Sequence, residues 1–371
     1  MGGALAIRLD GKPVVDLWGG VARPQQQEGG IWEADTLSVI FSCTKGLTSI
    51  LAARLVQDGL LDYHALVTDY WPEFGAAGKG STRVKDLLAH RSGLSAPLVA
   101  LTRQQMMDWD LVVSQLAAQN PIWTPGTGHA YHAITHGWLI GEVIRRVTGQ
   151  TVGDYFANLV ATPLGADAWI GLPSGLTQRV ATMRVGSTLA EFLAEQARKR
   201  TPGVLDLVER AMTLGGALPE ALVGPGIGFN DPEVQGAELP GAGGIATARA
   251  LATIWSATIV ETEGVRLLDN LTVDAATAEQ SSGSPVIFDV PPPWPRWGMG
   301  FQLDGGPRRY LTTRGFGHDG AGGQATFADP GAGIGFAYLT NQMEEGTCDS
   351  RATSVIDALR RALDIDPPGV G

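Results

Sequence analysis

"SVIFSCTKGLTSILAARLVQDGLL", residues 38–61, carries Ser42 and Lys45 three positions apart, where an apolar, strand-like run turns into a helix. Five lysines occur in the chain, Lys12, Lys45, Lys79, Lys85 and Lys199, and Lys45 opens a segment otherwise written in leucine, isoleucine, alanine and valine. Leu47, Ile50, Leu51, Ala53 and Leu55 fall at helical spacing, and Gly59 supplies the stop. Residues i and i+3 are neighbours on a helix, roughly 5–6 Å apart at Cβ. Ser42 would lie at the helix N-terminus, where free N–H groups and the dipole favour a developing negative charge. A serine hydroxyl is a weak nucleophile until a base takes its proton, and a lysine kept neutral by burial can be that base. The plainer alternative has Ser42 capping the helix and Lys45 reaching out to solvent.

The flanking sequence sets the architecture. "GALAIRLDGKPVVDLWGG" predicts two strands joined at Asp10-Gly11. Helical patterns follow in "TRVKDLLAH", "MMDWDLVVSQLAAQ", "AITHGWLIGEVIRRVTG", "VGDYFANLVATPL", "STLAEFLAEQARKR" and "TARALATIWSATIVE". After "VPPPWPRWG" the pattern changes to short strands with glycine turns, in "GMGFQL", "GFGHDGAGGQATFADP" and "GIGFAYLTNQM", before the amphipathic "SRATSVIDALRRAL". The expected fold class is α/β plus all-α. An antiparallel sheet, residues 1–41 and 286–371, is built from both termini and flanked by helices. A mostly helical middle, residues 42–285, makes the second domain, with the active site in the cleft between.

Composition narrows the function. A chain of 371 residues with 44% hydrophobic residues can bury a sizeable core. A formal charge of −11 disfavours nucleic acid or an anionic membrane as the partner. "MGGALAIRLDG" lacks the basic and apolar regions of a signal peptide, and no apolar run reaches membrane-spanning length, so a cytoplasmic protein is expected. Two cysteines, Cys43 and Cys348, give no disulfide framework.

Three further stretches decide between the readings of Ser42 and Lys45. "WTPGTGHAYHAITHGWLIGEVIRRVTG" sets a Pro-Gly turn before Tyr131 and then a helix; "GFGHDGAGG" puts His318 on a strand leading into a glycine turn; "VKDLLAHRSGLS" ends a helix at Arg91-Ser92-Gly93. This order resembles the serine β-lactamase and penicillin-binding-protein superfamily, and within it the class C-like family VIII carboxylesterases. "PGAGGIATA" also looks like a family loop. The resemblance implies a β-lactamase-like fold, Ser42 as nucleophile, and Lys45 and Tyr131 as its proton-transfer partners. It also implies an oxyanion hole from the backbone N–H groups of Ser42 and Ala321, and a substrate-binding strand segment at His318, Asp319 and Gly320. Ala133 stands where lactamases carry an asparagine, and His318 where they carry a lysine. Those departures favour esters over β-lactams and peptides.

Competing signals are weaker. His129, His132 and His136 resemble half of a zinc site, but no glutamate follows His132 to make His-Glu-x-x-His, so packing histidines and no metal are expected. Cys43 lies about 100° around the helix from Ser42 and fits a core position. No Gly-x-Ser-x-Gly occurs, which disfavours the α/β-hydrolase route. Trp123 and Trp297 flank the matched motifs and would line an acyl or alcohol pocket. The expectation is therefore a serine carboxylesterase acting on small or short-acyl esters without a cofactor. A β-lactamase, D-amino-acid peptidase or amidase, or transacylase on the same scaffold is the alternative. A binding protein without turnover and a metallohydrolase stand further off.

Overall fold

The computed structural model describes residues 1–24, 30–201, 203–287, 291–346 and 349–366, so Cys348 lies outside the described residues. Asp10 and Gly11 both take positive φ, 48° and 81°, the backbone of a tight hairpin turn whose twist matches that of its strands. It joins β1 (Gly2–Leu9) to β2 (Lys12–Gly20). The middle of the chain supplies α1 (Cys43–Gln57), α2 (Val84–Leu88), α3 (Thr135–Thr148) and α4 (Ala248–Ala257). The chain then returns through β3 (Arg296–Trp297), β4 (Gln302–Leu303), β5 (Phe316–Gly320), β6 (Gln324–Asp329) and β7 (Ile334–Thr340) to α5 (Arg351–Ala362).

These strands form one antiparallel seven-stranded sheet in the order β2-β1-β7-β6-β5-β4-β3. The first and last long strands pair, with Ala6 opposite Ala337 and Gly3 opposite Thr340. The sheet is thus built from both ends of the chain. On one face Ala352 and Ile356 of α5 pack with Ile7, Phe327 and Phe336. The other face meets α1 and α4, whose Leu47, Ile50, Leu51, Leu251 and Ile254 belong to the main core. Each such side chain contributes about 1.5–3 kcal/mol through burial.

Twelve of the fifteen residues of α1 are buried, so it is covered on nearly all sides rather than along one stripe. It stops where Gly59 takes φ +70° and the N–H of Leu60 reaches back to the Leu55 carbonyl at 2.9 Å. The helix expected from Met106 to Gln119 divides into Arg103–Met106 and Trp109–Ala118. The division falls at Asp108, whose carboxylate accepts the Leu111 N–H at 3.1 Å and caps a new helix. Among the described residues no helix is long and apolar enough to cross a membrane.

Asn341 holds the closure of the sheet together. Its buried side chain accepts the Gly2 N–H at 2.8 Å and donates to the Val21, Ala22 and Thr182 carbonyls at 3.0, 3.2 and 3.2 Å. Asn341→Ala would leave the buried Gly2 N–H without its acceptor, while the Ala22 carbonyl keeps the Thr182 N–H at 2.9 Å. We expect it to cost about 2–4 kcal/mol, at about 1–3 kcal/mol per orphaned group, read as a lower urea midpoint at unchanged slope.

Candidate active site

Ser42 sits at the cap position of α1 with helical φ/ψ of −66° and −10°, and among the described residues its side chain makes no capping bond. Its Oγ instead lies 3.0 Å from Nζ of Lys45. Lys45 does not reach solvent; it is fully buried, and its amine also lies 2.6 Å from the Ala133 carbonyl and 2.7 Å from the Gly241 carbonyl. Burial drives the Lys45 pKa well below its usual 10.5. A neutral amine has two hydrogens and one lone pair. The two close carbonyls take the hydrogens, which leaves the lone pair for the Ser42 hydroxyl.

The local backbone fixes this geometry. Phe41, immediately before Ser42, has φ +45°, a left-handed conformation that side chains disfavour and that packing must hold. Its carbonyl accepts from Thr44 N and Thr44 Oγ1 at 2.9 and 2.5 Å, and its ring meets Phe229 edge-on at 5.5 Å. Gly137 in α3 lets the Gly241 segment approach: a Cβ there would stand 2.1 Å from the Gly241 nitrogen.

Tyr131 completes the group around the amine. Lys45 Nζ lies 4.8 Å from its ring centroid. Burial raises the phenol's pKa, and a hydrogen bond with Ser42 opposes the rise. Tyr131 is therefore a neutral phenol at ordinary pH. Trp297 stacks on it at 5.5 Å and 17°, and His318 lies 6.1 Å away. Trp123 stands one layer further out, edge-on to His132 at 5.8 Å, with its indole N–H donating to the Gly128 carbonyl at 3.2 Å.

Strand β5 runs against the start of α1. A Cβ on Gly320 would meet the Ile40 carbonyl at 2.5 Å and Cys43 Sγ at 3.1 Å, so only glycine permits this approach. Cys43 donates its S–H to the His318 carbonyl at 3.2 Å, and burial pushes its thiol up to about 12, an inert core position. Ala321, half-buried, follows at the strand end and packs on the main core. The Asp319 carboxylate is held by Arg308 at 3.0 and 2.9 Å, and Arg308 also donates to Thr353 in α5 at 2.8 Å. Asp319 thereby ties the strand to the last helix.

Histidines surround the group. His132 is fixed by the Ala130 carbonyl at 2.6 Å and by Ser92 Oγ at 2.8 Å. His318 Nδ1 lies 2.6 Å from the Asp319 carbonyl. Burial lowers all four of His90, His132, His136 and His318, with His132 and His318 at about 3. His129 is separate, and the described residues contain no His, Cys, Asp or Glu group arranged to hold a metal. Sequence reasoning missed the carbonyls of Ala133 and Gly241, which carry no residue signature, and it missed His90, which touches Tyr131 from 41 positions away.

A family model described as Beta-lactamase matches residues 1–360. The chain is 36% identical over 353 residues to the Esterase/beta-lactamase LipL of Mycobacterium tuberculosis (strain ATCC 25618 / H37Rv), covering 92% of this chain and 77% of that one. A crystal structure of a family VIII carboxylesterase is similar at TM-score 0.84 and 33% identity, covering 97% of this chain and 92% of its own. EstA from Arthrobacter nitroguajacolicus Rue61a is similar at TM-score 0.83 and 32% identity, covering 98% and 92%. Fold and relatives together define a serine hydrolase. The chain belongs to the beta-lactamase family.

The neutral histidines set an acid limit. Their folded pKa values lie below the ordinary 6.5, so unfolding takes up protons once the pH drops under that value. The stability they contribute is complete above about pH 6.5 and is lost as the pH falls toward 3. Asp319 and Asp329, raised by burial, act in the opposite sense, but two carboxylates stand against four imidazoles. Lys45, also lowered by burial, takes up a proton on unfolding below its ordinary 10.5. The melting temperature should therefore already fall from about pH 8 to 7 and fall more steeply below about 6.5 as the histidines join it, followed by calorimetry across that range.

Proposed function

We propose that this protein is a serine carboxylesterase that hydrolyses small or short-acyl esters through an acyl-enzyme on Ser42. One arrangement carries this reading: a buried amine 3.0 Å from the Ser42 oxygen, with its other two contacts to carbonyls. Lys45 takes the hydroxyl proton as Ser42 Oγ attacks the ester carbonyl carbon. The oxyanion is held by the N–H groups of Ser42 and Ala321, the first of them at the positive end of the α1 dipole. As the C–O bond to the alcohol breaks, the proton on Lys45 passes through the Tyr131 phenol to the leaving oxygen. Water then gives a proton back along the same path, attacks the acyl carbon, and releases Ser42 with its hydrogen restored. The sheet unit, 1–41 and 286–371, and the helical unit, 42–285, flank this site.

The name of the Mycobacterium tuberculosis relative joins esterase to β-lactamase, so lactam hydrolysis is the second reading. Two features favour esters here. Ala133 offers its carbonyl to Lys45 and has no polar side chain for an amide. His318, at about 3, is uncharged at neutral pH and supplies no cation for a lactam's carboxylate. Burying that carboxylate unpaired costs binding and shifts the substrate relative to Ser42. Trp297, beside Tyr131, offers an apolar wall to a short chain.

Two measurements test the proposal. On one preparation, kcat/KM for p-nitrophenyl butyrate should exceed that for a chromogenic cephalosporin by at least about 100-fold, matching the upper end of the loss of about 1–3 kcal/mol when a buried polar group goes unpaired. Comparable values would favour the lactamase. Lys45→Ala and Tyr131→Phe should each lower kcat by about 10³-fold or more, and the double variant by little beyond the larger single loss, because groups that act as one unit are non-additive. Fully multiplying losses would show that the two side chains work independently.

A further inference from the structure

His90 is buried and is one of the described non-glycine residues with positive φ, at 62°. It follows α2 after a single residue, 41 positions before Tyr131, yet it grips both neighbours of that tyrosine. Its backbone carbonyl accepts the Ala130 N–H at 3.1 Å, and its Nδ1 accepts the His132 N–H at 3.2 Å. Between these two bonds its ring meets the Tyr131 ring edge-on, 4.9 Å between centroids, and the Trp297 ring at 4.6 Å and 79°. Tyr131 and Trp297 are themselves stacked, so the imidazole closes a three-ring corner around the phenol.

The choice of residue carries information. A turn that only needed positive φ would be served with less strain by glycine, and asparagine would add an acceptor for the His132 N–H. Histidine keeps the strained backbone and adds a ring, and that ring faces the phenol beside Lys45. Its Nε2 is buried and has no hydrogen-bond partner among the described residues, so the side chain is not held there for that nitrogen's own bonding. Strain held in place by packing, in contact with a functional side chain, points to a role in fixing position.

We propose that His90 is a positioning residue, which holds Tyr131 at the distance from Lys45 and Ser42 that proton transfer requires. This rests on the assignment of Tyr131 as proton carrier. His90 touches neither substrate nor the transferred proton, and acts by clamping residues 130 and 132 and bracing the ring between them.

The test is a mutant cycle on p-nitrophenyl butyrate, with His90→Ala and His90→Asn each made in the wild-type and in the Tyr131→Phe background. Asparagine tolerates the backbone and can accept the His132 N–H, but lacks the ring. We expect His90→Ala to lower kcat by about 100-fold, the loss typical of an ångström-scale misplacement, with KM changed less than about threefold. His90→Asn should recover about tenfold of that loss. In the Tyr131→Phe background either variant should cost less than about threefold, because the group being positioned is gone. Wild-type kcat in both variants, a loss confined to KM, or full multiplication on Tyr131→Phe would overturn the proposal. Should His90→Ala fail to fold, His90→Asn decides alone: its kcat loss must vanish when Tyr131 is phenylalanine. If Tyr131→Phe by itself keeps wild-type kcat, the assignment of Tyr131 fails, a result separate from any behaviour of His90.

Discussion

A lysine amine taken fully out of water must find its hydrogen-bond partners within the protein, and Lys45 draws them from two distant places. The Ala133 carbonyl lies ahead of α3, and the Gly241 carbonyl ahead of α4. Burial disfavours the ammonium form and drives the amine's pKa well below its usual value. The same requirement organises the surrounding chain. Helix α1, the segment before α3 and the glycine-rich loop before α4 have to converge within hydrogen-bond reach of one atom. Gly137 meets the Gly241 backbone so closely that no Cβ would fit between them. The site is therefore a junction of the main core rather than a feature added to its surface.

The electrostatics follow from that burial. Burial drives the Lys45 pKa well below its usual value and raises that of the Tyr131 phenol. The histidines around them are uncharged as well. In such a low-dielectric surrounding, charge that develops during reaction is felt strongly by the few dipoles aimed at it. The Arg308–Asp319 pair, the nearest described ion pair on β5, is turned to α5 and serves the sheet.

Much of this was legible in the sequence, and the parts that were not share a cause. Asp10-Gly11 announced the hairpin because turn conformation is set by two adjacent residues. Ser42 and Lys45 could be paired from spacing alone because one helical turn brings them together. The sheet from both termini followed from where strand-like segments fell. Illegible were contacts carried by backbone atoms, such as the Ala133 and Gly241 carbonyls, since any residue offers a carbonyl. The two-residue strand β3 left no alternating pattern to find. The division of one expected helix at Asp108 turned on a cap competing with an apolar run that read through it. His90 needed both a left-handed backbone and a partner 41 positions on, and neither has a local signature.

Strain is distributed in a way that explains how so buried a site stays accurate. Eight described non-glycine residues have positive φ, and Phe41 and His90 are the two aromatic rings among them. One precedes Ser42 and the other grips the residues flanking Tyr131. Both are fully buried, Phe41 against Phe229 and His90 between Tyr131 and Trp297. A left-handed backbone at a bulky residue relaxes unless its surroundings forbid it, and close-packed interiors forbid it because neighbouring side chains have nowhere to move. The strain thus falls on the approaches to the serine and the tyrosine. The strands and α1, in unstrained conformations, supply the packing that holds both side chains in register with Lys45.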